Sequence, residues 1–198
     1  MNLPYSLEII SFISLIIGGL FTSTLSGVIG MGGGVLLLAI MTFFLPLSVI
    51  IPVHGIVQLI SNSTRAFFLR KHVFLPMFGY FLIGLPFGAI ISIYLIQQIE
   101  NKEIFFLLIA ALIFYVVFKP KKLPPLKIPY WGFIFVGGMV GLLGLLVGAT
   151  GPFIAPFFLR DDLEKEQIVA TKAAVQVTGH IVKIPAFIHL GFNYTEGV

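Results

Sequence analysis

The sequence predicts an all-α protein that crosses a lipid bilayer several times, and three observations support this class. Only 10% of the 198 residues are charged, against about a quarter in a soluble domain, and 58% are hydrophobic. No Asp, Glu, Lys or Arg occurs between Ile9 and Thr64, a run longer than the roughly 20 apolar residues that span a bilayer core. The apolar runs are continuous rather than short and alternating, which favours helices over a β-barrel. Soluble enzymes, nucleic-acid binders and disulfide-stapled secreted domains are therefore excluded.

The apolar runs predict about six full spans and two short half-helices. The apolar stretch from Leu7 is too long for a signal peptide and is interpreted as a retained first span. The half-helices follow glycine-rich breaks, where a helix can unwind and where Pro152 cannot donate an amide hydrogen bond. The full spans are expected at about 7–26, 48–69, 73–96, 104–118, 131–148 and 167–190, and the short pieces at about 34–45 and 152–159.

The charged loops predict which side of the membrane each helix end faces. The basic segments 70–72 and 119–127 are expected in the cytoplasm. The segments 97–103 and 160–166 carry more acidic charge and are placed on the opposite side. Both halves of the chain then begin on the cytoplasmic side, which favours repeats in the same orientation. The expected location is a multi-pass protein of the cell inner membrane.

An internal repeat relates the two halves with an offset of 118 residues, without a gap. The offset places Gly30–Gly34 on Gly148–Pro152. The predicted division is a first repeat of four spans (1–118), a cytoplasmic Pro/Lys-rich linker (119–129) and a second, incomplete repeat of about two spans (130–198). The missing helices are explained either by a natural short form or by further chain in the working unit, such as a homo-oligomer or an additional chain that completes the repeat.

Polar residues on two of the predicted helices repeat with the same spacing. Within each helix the residues share one face, and ionisable residues in a span face the bundle interior or a watery cavity. No carboxylate lies in the predicted core spans to pair with the cations, so a bound anion would supply the missing negative charge. In the alternative interpretation, Arg65 and Lys172 extend to the membrane interface as anchors. The two faces are His54, Gln58, Asn62 and Arg65, and Lys172, Gln176, His180 and Lys183.

The glycine breaks complete the candidate substrate-binding site. New half-helices would begin near Gly32, Gly33 and Gly34 and near Thr150 and Gly151, with free amides that suit an oxyanion and with Thr150 as a possible cap. In the alternative interpretation the glycines only permit tight helix packing, as expected for Gly137, Gly138 and Gly141.

Side chains near the breaks have further expected roles. Gln58, Gln176, Asn62 and Thr178 would orient the anion through hydrogen bonds, while Arg65, Lys172 and Lys183 would supply positive potential. His54 and His180 are candidates for proton coupling. No catalytic constellation, metal-ligand set or cofactor motif is recognised, so we expect neither an enzyme nor a cofactor. The expected partners are a small inorganic or organic anion and the lipid bilayer, with no nucleic acid.

These motifs resemble the sulfite exporter TauE/SafE family of membrane permeases. The resemblance rests on Ser26–Val35 with Pro46, on the helix that carries Pro52 and Gln58, and on the second copy from Gly144 through Lys172 and Gln176. It implies secondary transport of sulfur-containing anions such as sulfite, sulfonate or thiosulfate in a prokaryotic inner membrane. The sequence departs from the family in the second break, which reads Gly-Ala-Thr-Gly-Pro, and in the absence of a last pair of spans. A non-transporting structural or accessory membrane subunit is the alternative.

Overall fold

A computed structural model describes residues 5–29, 32–119 and 124–194 of the chain. In this part of the chain the regular structure is helical, without a strand, as predicted. The α-helices are α1 (Tyr5–Ile29), α2 (Gly33–Met41), α3 (Leu47–Leu69), α4 (Leu75–Gln98), α5 (Ile104–Phe118), α6 (Phe133–Val147), α7 (Gly151–Ile154) and α8 (Lys165–His189). Single 3-10 turns cover Arg70–His72, Tyr130–Gly132 and Ala155–Phe158.

The helix ends follow from local sequence signals. Gly32 and Gly148 adopt φ angles of 96° and 82°, which L-residues rarely adopt, so glycine there lets α2 begin and α6 end inside the apolar region. Helix α8 starts with a capping box between Glu164 and Gln167. The two predicted short helices are found as α2 and as α7, which continues into the turn Ala155–Phe158.

Three helical segments are long and apolar enough to cross a membrane: Leu47–His72, Leu75–Gln98 and Tyr130–Val147. Two shorter apolar helical stretches, Ile13–Leu25 and Ile104–Phe118, also occur in the described residues. Helix α8 has 25 residues but a more polar sequence, because it carries one of the two polar faces. Three of the six predicted full spans are therefore found, and the other three stay predictions.

Helices α4 and α6 pack backbone to backbone through glycines. A Cβ at Gly88 would lie 2.7 Å from the carbonyl carbon of Gly138, and a Cβ at Gly141 would lie 2.6 Å from the amide nitrogen of Ala89. Backbones this close exclude any side chain at the crossing. The predicted packing role of Gly137 and Gly141 is confirmed, since both face the α4 backbone.

Helices α3 and α8 pack against each other in opposite directions. Lys183 Cδ lies 3.2 Å from the position of a Cβ at Gly55, whereas the amide of Phe74, just after α3, donates to Thr171 Oγ1 at 2.8 Å. From Gly55 to Phe74 the residue numbers rise, whereas their contacts on α8 fall from Lys183 to Thr171. The two helices are therefore antiparallel. The expectation that the two halves share one orientation is therefore wrong.

The loop 160–166 lies beside the linker, not across the membrane from it. Lys127 pairs with Asp161, and Arg160 Nη1 donates to the Ile128 carbonyl at 2.7 Å. Assigning this loop to the opposite side was incorrect because α6 ends inside the bundle and α7 returns to the side from which α6 started. The error arose because acidic residues contribute little to membrane sidedness.

Helix boundaries recur with the predicted offset. The ends of α1 and α6 (Ile29 and Val147), the starts of α2 and α7, and the starts of α3 and α8 are each 118 residues apart. This spacing supports the internal repeat, which stays a prediction, and the antiparallel α3 and α8 indicate that its copies are inverted.

Candidate functional site

The two glycine breaks meet at a small cavity between α3 and α8. The space open to the centre of a water-sized sphere is about 20 Å³, which is room for about one water molecule. Nine of the predicted site residues line it, so the breaks and both polar faces converge at one place. The lining residues are Gly32, Gly34, Val35, His54, Gln58, Ala149, Thr150, Gly151, Pro152, Lys172, Gln176 and His180.

His54 connects α3 to the first break. Its Nε2 lies 2.8 Å from the Gly34 carbonyl oxygen, and its side chain is fully buried. Because a carbonyl only accepts, Nε2 must carry the proton and donate. The other ring nitrogen, Nδ1, is buried without a hydrogen-bond partner. The His180 ring lies edge-on at 6.1 Å between ring centroids, and its Nδ1 is likewise buried and unpartnered.

Gln58 presents its amide nitrogen at the cavity. Asn62 Nδ2 donates to the Gln58 backbone carbonyl at 2.8 Å and to Gln58 Oε1 at 3.4 Å. These bonds occupy the acceptor side of the Gln58 amide and leave Nε2 buried without a partner. A Cβ at Gly34 would lie 3.3 Å from Gln58 Oε1, so glycine there makes room for the amide.

The second break mirrors this arrangement. A Cβ at Gly151 would lie 3.2 Å from Gln176 Nε2, so a second glutamine packs on a second glycine at a helix start. Lys172 adds a cation to the lining, which contains no Asp or Glu among its described residues. Thr150 holds the N-cap position of α7, but its side chain makes no capping hydrogen bond, contrary to the expected role.

Lys183 lies near the cavity but is not one of its lining residues. Only 3% exposed, it extends between Gly55 and Gly144 and donates to the Gly148 carbonyl at the end of α6. A cation is stabilised at a helix C-terminus by the carbonyls that point there. Sequence reasoning missed this contact because it depends on the antiparallel register of α3 and α8.

The remaining predicted residues also lie outside the lining. Asn62 acts through Gln58, and Gly33 is buried as the first residue of α2. Arg65 is half-buried one turn beyond Asn62. Thr178 Oγ1 lies 3.1 Å from both the Ala174 and the Val175 carbonyls of its own helix, so its donor is used there. Sequence reasoning missed Val35, Ala149 and Pro152, which line the cavity as neighbours of the break glycines.

The site contains a cluster of buried side-chain nitrogens that lack a hydrogen-bond partner. Besides the cation of Lys172, it holds three unpartnered side-chain nitrogens, on His54, Gln58 and His180. Buried polar groups in proteins are nearly always paired, so such a cluster indicates a missing partner. Within the described residues, no three His, Cys, Asp or Glu side chains are grouped closely enough to hold a metal ion.

Comparison with known proteins gives one match. No curated protein and no solved structure matches the chain. The family model described as sulfite exporter TauE/SafE matches residues 15–197, nearly the whole sequence. The apolar helices, the paired glycine breaks and this match agree, and the chain belongs to the sulfite exporter TauE/SafE family of membrane permeases.

Proposed function

We propose that the chain is a secondary transporter of small sulfur-containing anions such as sulfite, sulfonate or thiosulfate, bound between the two broken helices in a cavity that has to widen from its present one-water size to admit them. The observation that carries the proposal is the cluster of unpartnered nitrogens His54 Nδ1, Gln58 Nε2 and His180 Nδ1. An oxyanion would accept a hydrogen bond from Gln58 Nε2, and from a histidine Nδ1 once that nitrogen carries a proton. A multi-pass location in the cell inner membrane belongs to the same proposal.

Two glutamines and two helix starts would hold the anion. Gln58 and Gln176 would each donate a hydrogen bond, together with backbone amides at Gly32–Gly34 and Thr150–Gly151, which have no partner within a helix's first turn. Asn62 would orient Gln58. We leave Thr178 out of this set because its hydroxyl is used within α8.

Positive charge would come from the cavity wall and from just outside it. Lys172 lines the cavity, whereas Lys183 and Arg65 lie beyond it on the two helices. In a region of low dielectric constant these charges act over several ångströms, so they need not touch the anion to favour its binding.

A proton would bind together with the anion. Because His54 Nε2 already donates to Gly34, Nδ1 of a neutral ring can only accept, and its lone pair would repel an oxyanion. Protonation turns Nδ1 into a donor. Anion affinity should therefore fall as pH rises, by up to tenfold per pH unit for each proton taken up.

The proposed repeat units, 1–118 and 130–198 joined by the linker 119–129, place this cavity at their interface. Inverted repeats with broken helices at a central substrate site are a common transporter design, in which rocking of one unit against the other alternates access. The antiparallel packing of α3 and α8 supports this assignment.

Thermal stabilisation of the detergent-purified chain tests the binding site. We expect sulfite, thiosulfate or methanesulfonate, but not equimolar chloride, to raise the unfolding temperature by mass action. Gln58→Leu should weaken binding about 10- to 100-fold, the loss of one hydrogen bond to a charged group. Gln98→Leu is the matched control, since Gln98 is exposed at the end of α4.

Two results would contradict the proposal. No stabilisation by any of the three anions would refute an anion site, and equal losses in both glutamine variants would refute the cavity as its location. Stabilisation without anion flux in proteoliposomes would instead favour the non-transporting accessory subunit.

A further inference from the structure

A second, larger cavity opens at the other end of α3. The cleft lies between the start of α3, the end of α4, the start of α5 and the end of α8, at the end of the bundle opposite the basic turn 70–72. The space open to the centre of a water-sized sphere is about 570 Å³. Its lining residues are Leu47, Ser48, Ile51, Pro52, Ile96, Gln97, Lys102, Phe105, Leu145, Phe187, Leu190, Gly191 and Phe192.

One layer of side chains separates this cleft from the central cavity. Ile51 lines the cleft, and its Cγ1 lies 3.6 Å from the position of a Cβ at Gly148, the same point that lies 3.7 Å from His54 Nδ1. Ile51 precedes His54, and Leu145 precedes Gly148, by three residues in each case. The rise over three helical residues is about 4.5 Å, so the barrier is about one turn thick.

Ile51 forms this barrier. It is only 5% exposed, and it is the lining residue of the cleft that reaches the region of Gly148 and His54. Removing or displacing this one side chain would therefore connect the two cavities.

Among the described residues, Lys102 is the one charged side chain in the lining of the cleft. Its Nζ donates to the carbonyls of Ile96 at 3.2 Å and Ile99 at 2.6 Å. Ser48 and Gln97 add further donors, and the described lining holds no carboxylate. Glu100 and Glu103 near Lys102 are exposed and lie outside the lining, so the positive charge that an entering anion would meet is the local one on the cleft wall.

We propose that this cleft is the outer entrance for the transported anion, and that Ile51 is the barrier between it and the central site. The inference rests on the proposed transport function and adds the route to it. A cleft filled by lipid acyl chains is the competing possibility, and the test below separates the two.

Single-cysteine labelling tests the route, because the chain has no cysteine of its own. In sealed vesicles of both orientations, Ser48→Cys should react rapidly with a charged, membrane-impermeant methanethiosulfonate, only from the side opposite the basic loops. Ala149→Cys, in the central cavity, should react slowly from that side. Adding Ile51→Ala should increase the Ala149→Cys rate at least tenfold.

Ile50→Ala is the matched control. It removes the same atoms from the neighbouring residue, which is fully buried but lines neither cavity, so the Ala149→Cys rate should not change. Thermal unfolding of both alanine variants shows that the comparison is made between folded proteins.

Each result of the labelling supports or overturns the route. Unreactive Ser48→Cys would show a cleft closed to water, as lipid filling requires, and would overturn the entrance. Equal acceleration by Ile50→Ala and Ile51→Ala would overturn Ile51 as the barrier. The labelling uses no substrate, so it tests the route separately from the function. If the cysteines react as expected but no sulfur anion stabilises the chain, the proposed function is refuted and the route is not.

Discussion

Replacing Gly84 with alanine tests the close packing of α4 on α6. The added Cβ would lie 2.7 Å from the carbonyl carbon of Ile134 and 2.9 Å from the amide nitrogen of Gly138, with the Ile134 oxygen closer still. Non-bonded carbon atoms prefer about 3.5–4.0 Å, so the helices would have to separate by about 1 Å. The clash is with backbone, which has no rotamer to escape into.

The expected cost follows from two opposing terms. Overpacking of a tight interface costs about 1–3 kcal/mol, and the upper end applies where backbone is hit. Alanine regains up to about 1 kcal/mol over glycine in helix propensity. The net destabilisation is therefore about 2 kcal/mol, or an apparent Tm lowered by about 4–8 °C in a chain of this size.

Gly79→Ala on the same helix is the control. A Cβ at Gly79 has nothing within 4 Å, so only the propensity term remains. Its apparent Tm should stay the same or rise by up to about 4 °C. Both variants are scanned at one rate in one detergent, because unfolding in detergent is commonly irreversible. A Gly84→Ala protein as stable as Gly79→Ala would refute the helix contact described here.

Three further predictions concern the site and the loop 160–166. Lys183→Met should abolish anion uptake in proteoliposomes without preventing membrane insertion, because the Gly148 carbonyl loses its cationic partner; unchanged flux would remove Lys183 from the mechanism. Gly148→Ala should lower the apparent Tm by several degrees, since its φ of 82° is strained for alanine by about 1–2 kcal/mol; a Tm equal to wild type would show that the break can adopt another geometry. Hydrogen bonds from Arg160 lower the pKa of Asp162, so the stability that this carboxylate adds is present above its unfolded pKa of about 3.9 and is lost as pH falls further. The stability difference between wild type and Asp162→Asn should then be constant from pH 5 to pH 8 and shrink below about pH 4, and a difference that grew on acidification would contradict the assignment.

Composition and periodicity predicted the helices and the convergence of most of the site. Charge-free runs locate the helices because lipid excludes charged side chains, and the spacing of His54 and Gln58 along α3 fixes a shared face. Their meeting with Lys172 and Gln176 follows once both faces turn away from lipid. The loop charges predicted the same orientation for both halves, which is wrong, so the contact between Lys183 and Gly148, which depends on antiparallel helices, could not be predicted.

The sidedness error has a physical cause. A segment as short as Gly151–Phe158 can either cross part of the membrane or turn back, and its composition is the same in both cases. The contacts of Arg160 and Lys127 with their neighbours, together with the hydrogen bond from the Leu126 amide to the Pro156 carbonyl, show that the segment turns back.

The antiparallel arrangement of α3 and α8 has a consequence for direction. The cavity that His54 and His180 line has a glutamine and a glycine break from each half of the chain. A site with this symmetry does not itself favour import or export. The direction of net transport would then be set by the gradients of the solute and of protons.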